Sequence, residues 1–452
     1  MNGWGNLHNL AGHKQAKECH ACHQTIRQKV QRSERGLGIT VIPPASGYIS
    51  EVTKLALIAQ NAIIKRTVNQ TTMKRHVKIV CTLGPASSSP EVIERMLRGG
   101  MDIARLNLAH GTLEEHSRLI SEVRLVSQEL KPSTGILLDL PGLKRYTGDV
   151  KSAFGQHIDF VLSQSADFIA LSFISSAREV EEAKKLLREM NVDIPVIAKI
   201  ERTQALQESN MILELCEGIM VARGDLALDI SIEKVPLATK RLIKEANHHG
   251  KAVITATEML KSMVHSATPT RAEAADVANA VLDGTDALML SEETSIGSYP
   301  VEATETMARI ALEAEASLPF EQISRERWQD VLPEVNDATA RAARQVARQV
   351  KAKAIVAFTA GGTTALRISK YRPRQPILAV TPSERIMRRL SLCWGVLPIR
   401  KREPQNLEEV FEVAREVALE MNAARRGDLI VVTAGLPLTI PGSTNLLKVH
   451  SV

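Results

Sequence analysis

At 452 residues the chain is too long for one compact domain, and its 44% hydrophobic and 24% charged content excludes a disordered, collagen-like or wholly coiled-coil molecule. With only 3% aromatic residues, a stacking platform for single-stranded nucleic acid is excluded as well. The net charge of +6 is no nucleic-acid signature either, because residues 1–75 hold 11 Lys/Arg against 3 Glu while residues 76–452 hold 46 basic against 48 acidic side chains.

The first 75 residues lack strand-helix order. An amphipathic helix is expected over Ile49–Ile64, in what is otherwise a basic extension of unassigned role. Cys19-His-Ala-Cys-His23 has the spacing of a c-type haem attachment, which requires export, and the segment lacks the basic-then-apolar plan of a signal peptide. A Zn2+ site completed by His8 and His13, or an unliganded tail, are the other readings. Five scattered cysteines, Cys19, Cys22, Cys81, Cys216 and Cys393, form no disulfide framework and suit a reducing compartment. No apolar run approaches the roughly 18 residues of a membrane helix. A cytoplasmic protein is expected, with neither membrane nor nucleic acid as a partner.

From residue 77 short apolar runs alternate with stretches of helical period. The strands expected are Val77–Leu83, Ile103–Leu108, Gly135–Leu140, Phe168–Phe173, Val196–Ile200, Gly218–Ala222, Ala252–Thr257 and Ala287–Glu292. Helical stretches between them include Pro90–Leu97, Leu113–Glu129, Glu179–Met190 and Arg271–Leu282. Eight such units predict an α/β protein built on a (β/α)8 barrel over residues 76–330, with its chemistry at the C-terminal strand ends. After a helix ending near Ala316, a second α/β pattern over 338–452 predicts a C-terminal domain, with strands at Ala354–Phe358, Ile377–Val380 and Leu429–Val432.

The strand ends carry the candidate chemistry. Lys199 and Glu201, two apart, share one strand face, and Asp225 follows in a loop after the next strand. Two carboxylates suit Mg2+, with Lys199 beside a transferring phosphoryl group; a buried Lys-Glu pair beside an unrelated surface Asp is the alternative. Arg105, Asn107 and Ala109 alternate along strand two, Arg105 offering a phosphate clamp, although a half-buried strand alternates in the same way. Ala222-Arg223-Gly224-Asp225 offers a backbone nest for a carboxylate, and Thr257 ends strand seven. In the C-terminal domain Thr359-Ala-Gly361-Gly362-Thr363-Thr364 is either a phosphate cradle at a helix start or an ordinary tight turn.

These residues resemble pyruvate kinase. The resemblance rests on Lys78-Ile-Val-Cys-Thr-Leu-Gly-Pro-Ala-Ser87, Ala104-Arg-Leu-Asn107, Lys199-Ile-Glu201, Gly218 to Leu226, Pro269-Thr-Arg-Ala-Glu273, Asp276 to Gly284, Ile368 to Thr381 and Pro441 to His450, and it spans about residues 76–452. It implies phosphoryl transfer from phosphoenolpyruvate to ADP, giving pyruvate and ATP in glycolysis. Glu201 and Asp225 would hold Mg2+ or Mn2+, Lys199 would stabilise the phosphoryl in flight, and Arg105 would grip the phosphate. Ala222, Arg223, Gly224 and Asp225 would receive the substrate carboxylate, and Thr257 would stand near the carbon that is protonated. The resemblance also implies a homotetramer and a sugar-phosphate or nucleotide effector at Thr359–Thr364.

Departures from the family pattern are informative. Asn107 and Asp139 match its monovalent-cation site, yet Ala109 stands for a serine, Leu140 for a threonine and Lys144 for a glutamate. That combination resembles the potassium-independent branch, so no K+ requirement is expected. Arg145 and Tyr146 displace another expected arginine. The family's lid domain of about a hundred residues is missing, because Gly148 is followed within about ten residues by the helical stretch Gln156–Gln164. Weakened kinase turnover, a metal-dependent lyase acting on oxaloacetate-like acids, or a silent regulatory subunit are the readings this leaves.

Overall fold

The computed structural model describes residues 75–131, 133–142, 150–327, 334–437 and 444–452. The Ile49–Ile64 helix, the Cys19/Cys22/His23 cluster and Lys144, Arg145 and Tyr146 lie outside them. The described residues all fall within one compact unit.

Eight parallel strands close a barrel: β1 (Lys78–Thr82), β2 (Ile103–Asn107), β3 (Gly135–Leu140), β4 (Phe168–Ile174), β5 (Val196–Ile200), β6 (Gly218–Ala222), β7 (Ala252–Ala256) and β8 (Ala287–Leu290), with β8 returning to β1. Side chains alternate across each strand, so one set packs outward beneath the helices while Val80, Ile103, Leu137, Ala170, Ile197, Met220, Ile254 and Met289 fill the interior. Stepping two residues on from that apolar layer brings the polar side chains of the mouth: Thr82, Arg105, Asp139, Ser172 and Lys199, all buried. Helix starts are cued by sequence. Thr112 and Glu115, and likewise Thr270 and Glu273, exchange the reciprocal hydrogen bonds of a capping box at the helices Leu113–Leu130 and Arg271–Asp283.

Downstream, a five-stranded sheet runs in the order β11 (Val396–Arg400), β10 (Ile377–Thr381), β9 (Ile355–Phe358), β12 (Leu429–Gly435), β13 (Thr444–Ser451), with only β13 antiparallel. Leu392 of this domain joins the barrel-interior cluster. Around it, Arg372 pairs with Asp286 at 2.6 Å, His76 stacks on Trp394 at 4.4 Å, and buried Lys78 donates to the Val396 carbonyl at 2.7 Å. Desolvation brings the Lys78 ammonium down to about 8. Burial likewise pushes Cys81 and Cys393 up to about 12 and Cys216 to about 11, so none of the three is a reactive thiolate at neutral pH.

β3 ends at Leu140 and the next helix, Val150–Ser163, starts ten residues later. No domain intervenes. Immediately after β3, Gly142 passes so close to β4 that a Cβ there would stand 2.0 Å from the Ser172 carbonyl oxygen.

Candidate active site at the barrel mouth

The mouth is organised around Asp139, which is 1% exposed. Its Oδ2 accepts from Arg105 Nε at 3.0 Å and Nη2 at 2.6 Å and lies 3.3 Å from Lys199 Nζ, while Oδ1 accepts from Ser172 Oγ at 2.9 Å. Arg105 Nη1 donates to Thr82 Oγ1 at 2.8 Å. Lys199 Nζ donates to Ser172 Oγ at 2.8 Å and stands 2.8 Å from Glu201 Oε1. The ammonium therefore sits between two buried carboxylates.

A local irregularity builds this cluster. Leu171 pairs with Ala198 and Ile174 with Ile200, so β4 spends one more residue than β5 between the same two levels. The extra residue is accommodated at Phe173, whose φ of +58° turns its N–H onto Glu201 Oε2 at 2.6 Å. The same bulge sets Ser172 between Asp139 and Lys199.

Electrostatics follow from burial and pairing. Desolvation alone would raise Asp139, but Lys199 and Arg105 outweigh it and hold the carboxyl below its ordinary value. Burial would lower Lys199, yet Asp139 and Glu201 keep the ammonium above a lysine's usual range. For Glu201 burial wins over Lys199, and its carboxyl is pushed up. Glu201 Oε1 faces the Lys199 ammonium at 2.8 Å and Oε2 takes the Phe173 N–H at 2.6 Å, and the lone pairs left on this buried carboxylate suit a metal ion.

Asp225 belongs to the first turn of the helix Arg223–Asp229, not to a loop as the sequence suggested, and it makes no side-chain ion pair among the described residues. No three His, Cys, Asp or Glu side chains gather into a metal-binding group among the described residues. A cation here would draw on Glu201 and Asp225 and leave its other positions to substrate and water, the preference of Mg2+.

The remaining expected residues divide. The Gly224 N–H is already held by Thr257 Oγ1 at 2.7 Å, and Thr257 Oγ1 donates to the Ala256 carbonyl at 2.7 Å. Thr257 and Glu258 are both left-handed, with φ of +66° and +56°, so the β7 end is a tight, strained corner. Arg223 turns to Asp276 at 2.6 Å and to the Thr257 carbonyl at 2.8 Å, bracing that corner. Asn107 accepts from the Ala109 N–H at 3.2 Å beside buried Leu140. Far from the mouth, Thr359 Oγ1 accepts from the Gly362 N–H at 2.9 Å and Thr364 shares a hydrogen bond with Thr444 at 2.6 Å. Within that turn Gly361 and Thr363 are exposed, and Gly362 takes the left-handed φ of +91° that starts the helix Thr363–Lys370.

Ser172, Thr82 and the Phe173 N–H were missed by the sequence reading. Alternation through Phe168, Ala170 and Ser172, and through Val80 and Thr82, was the signal available.

Comparison with known proteins fits this arrangement. The family model described as pyruvate kinase, barrel domain, matches residues 74–157 and 153–304, and the pyruvate kinase alpha/beta domain matches 337–450. A protein named pyruvate kinase from Sporosarcina psychrophila is 36% identical over 472 aligned residues, covering 84% of this chain and 80% of that protein. One from Staphylococcus aureus (strain MRSA252) is 35% identical over 471, with the same coverage. Since 84% of 452 residues is about 380, about 90 of the 472 aligned positions have no residue in this chain. The two barrel matches overlap at 153–157, inside the helix Val150–Ser163 that follows β3.

Proposed function

The chain belongs to the pyruvate kinase family, and on that premise we propose that it moves the phosphoryl group of phosphoenolpyruvate to ADP at an open barrel mouth, without the family's lid. The observation that carries this reading is the ammonium of Lys199 held between Asp139 and Glu201, with Arg105 and Ser172 fixing Asp139. Phosphoryl transfer asks for positioned positive charge, and covalent help from the protein is small.

The family needs a divalent metal ion, and Mg2+ held by Glu201 and Asp225 would neutralise charge on the substrate carboxylate and phosphate. Lys199 offers its ammonium to the phosphoryl oxygens as the bond to the enol oxygen breaks and the bond to the terminal ADP oxygen forms. Arg105, oriented by Asp139 and Thr82, has donors left for a phosphate oxygen. The enolate then takes a proton at its methylene carbon, on the side of the Thr257 corner. Water has freer access than under a lid, which lowers the advantage of a dry site.

Lys144 as a fixed ammonium, with Ala109 and Leu140 in place of hydroxyl ligands, supports K+ independence. Pyruvate formation is therefore expected with Mg2+ and ADP in Na+ alone, at a rate that K+ leaves unchanged. Turnover without ADP, or none at all, would sink the kinase reading; strict K+ dependence would sink the role of Lys144. Leu228, Ile232 and Leu237, 88%, 76% and 71% exposed, support self-association through this barrel flank, in line with a homotetramer. Sedimentation as a single copy would remove that proposal.

A further inference from the structure

Away from the mouth, a cavity of about 630 Å3 opens where the barrel joins the second domain. One wall is Leu318–Glu321, the chain leaving the barrel's last helix, Pro300–Ala316; the other is formed by the helix Val335–Gln349, the turn Lys351–Lys353 and Arg374-Gln375. It lies at the N-terminal edge of β9 and β10, the opposite end of the sheet from the Thr359–Thr364 turn. Its volume is that of a small-molecule site.

The lining is strongly cationic. Arg344, Arg348, Lys351, Lys353 and Arg374 face a single carboxylate among the described lining residues, Glu321, and Arg348 pairs with it. A basic groove alone is most often a solvated surface, and Arg344 separates this one from that case. Four arginines are buried among the described residues, at 4–6% exposure. Arg75, Arg105 and Arg372 each meet a carboxylate, at 2.7, 2.6 and 2.6 Å. Arg344 meets none among the described residues; its Nη2 donates to the Phe320 carbonyl at 3.0 Å. A buried guanidinium is seldom left without a counter-charge. Desolvation first, and then neighbouring Arg348, weaken its hold on its proton against the smaller opposing pull of Glu321.

We propose that this cavity binds a phosphate-bearing small molecule, with Arg344 at its floor and Lys351, Lys353 and Arg374 at its rim. Phosphate fits because a guanidinium fork and two ammonium groups together match a compact dianion better than a single carboxylate. The ligand would bridge the interdomain chain at Phe320-Glu321 and the second domain, so its binding would tighten that joint.

The test is titration calorimetry on the full chain with inorganic phosphate, a nucleoside monophosphate and a hexose monophosphate as probes. Wild type is compared with Lys351→Gln/Arg374→Gln, both exposed positions on which folding does not depend, and with Gly361→Asp at the distant turn, where a new side chain meets open space. The double variant should weaken the tightest probe about tenfold or more, since two charge-assisted contacts are lost, and Gly361→Asp should leave it unchanged. The better of the nucleoside and hexose probes identifies the scaffold carrying the phosphate; inorganic phosphate binding as tightly as either assigns the site to the free ion. Equal affinity in wild type and the double variant, loss only in Gly361→Asp, or no binding by any probe would overturn the proposal.

Discussion

Lys199→Met should lower kcat by about 10³-fold while the chain stays folded. The ammonium is 8% exposed and has Ser172 Oγ at 2.8 Å, Glu201 Oε1 at 2.8 Å and Asp139 Oδ2 at 3.3 Å, so its position is fixed before substrate arrives. Methionine keeps an unbranched side chain one heavy atom shorter and removes the charge. KM for phosphoenolpyruvate should move far less than kcat, because a charge that counts most when the phosphoryl group is in flight mainly affects the chemical step. Asp139 keeps Arg105 and Ser172, and Glu201 keeps the Phe173 N–H, so thermal unfolding should remain cooperative. Turnover within tenfold of wild type would remove Lys199 from the chemistry.

Asp139→Asn should act on both stability and turnover. Asparagine keeps one acceptor oxygen, which can face Arg105 or Ser172 but not both, and the negative charge between two buried cations is gone. Removing one partner of a buried ion pair costs about 3 kcal/mol, which urea unfolding would read, and a misplaced Lys199 and Arg105 should cut kcat/KM by about 10²-fold. The pH dependence has a definite sign. The folded carboxyl is held below its unfolded value, so the stability it adds is fully present above pH about 4 and is lost as pH falls through the folded pKa. The gap between wild type and Asp139→Asn should therefore close in acid. A constant gap, or no gap at neutral pH, would mean that Asp139 is not the charged centre of the mouth.

Much of this arrangement was legible because strand alternation is local. Gly135–Leu140, Val196–Ile200 and Gly218–Ala222 match the expected bounds, and two-residue steps put Arg105, Lys199 and Glu201 at the mouth. Cross-strand neighbours were not legible. The contact of Ser172 with Lys199 depends on a bulge in β4, and register between strands is a long-range property that no single segment encodes. β11 escaped notice because Pro398 interrupts it, which an edge strand tolerates. The sequence places Asp225 in a loop because the glycine and aspartate of Arg223-Gly-Asp225 have turn chemistry, yet they form the first turn of a helix.

β3 keeps its pairing with β2 up to Asn107–Asp139 and with β4 up to Leu140–Leu171, so the barrel wall is complete where β3 hands over to the connection before the helix Val150–Ser163. An insertion at such a point leaves and returns through one surface connection and alters loop length without touching a strand pair. The two parts are thus separable in inheritance. A stretch inserted at this connection would be lost or regained by one cut and rejoining, while Arg105, Asp139 and Lys199 stay in register on strands outside it.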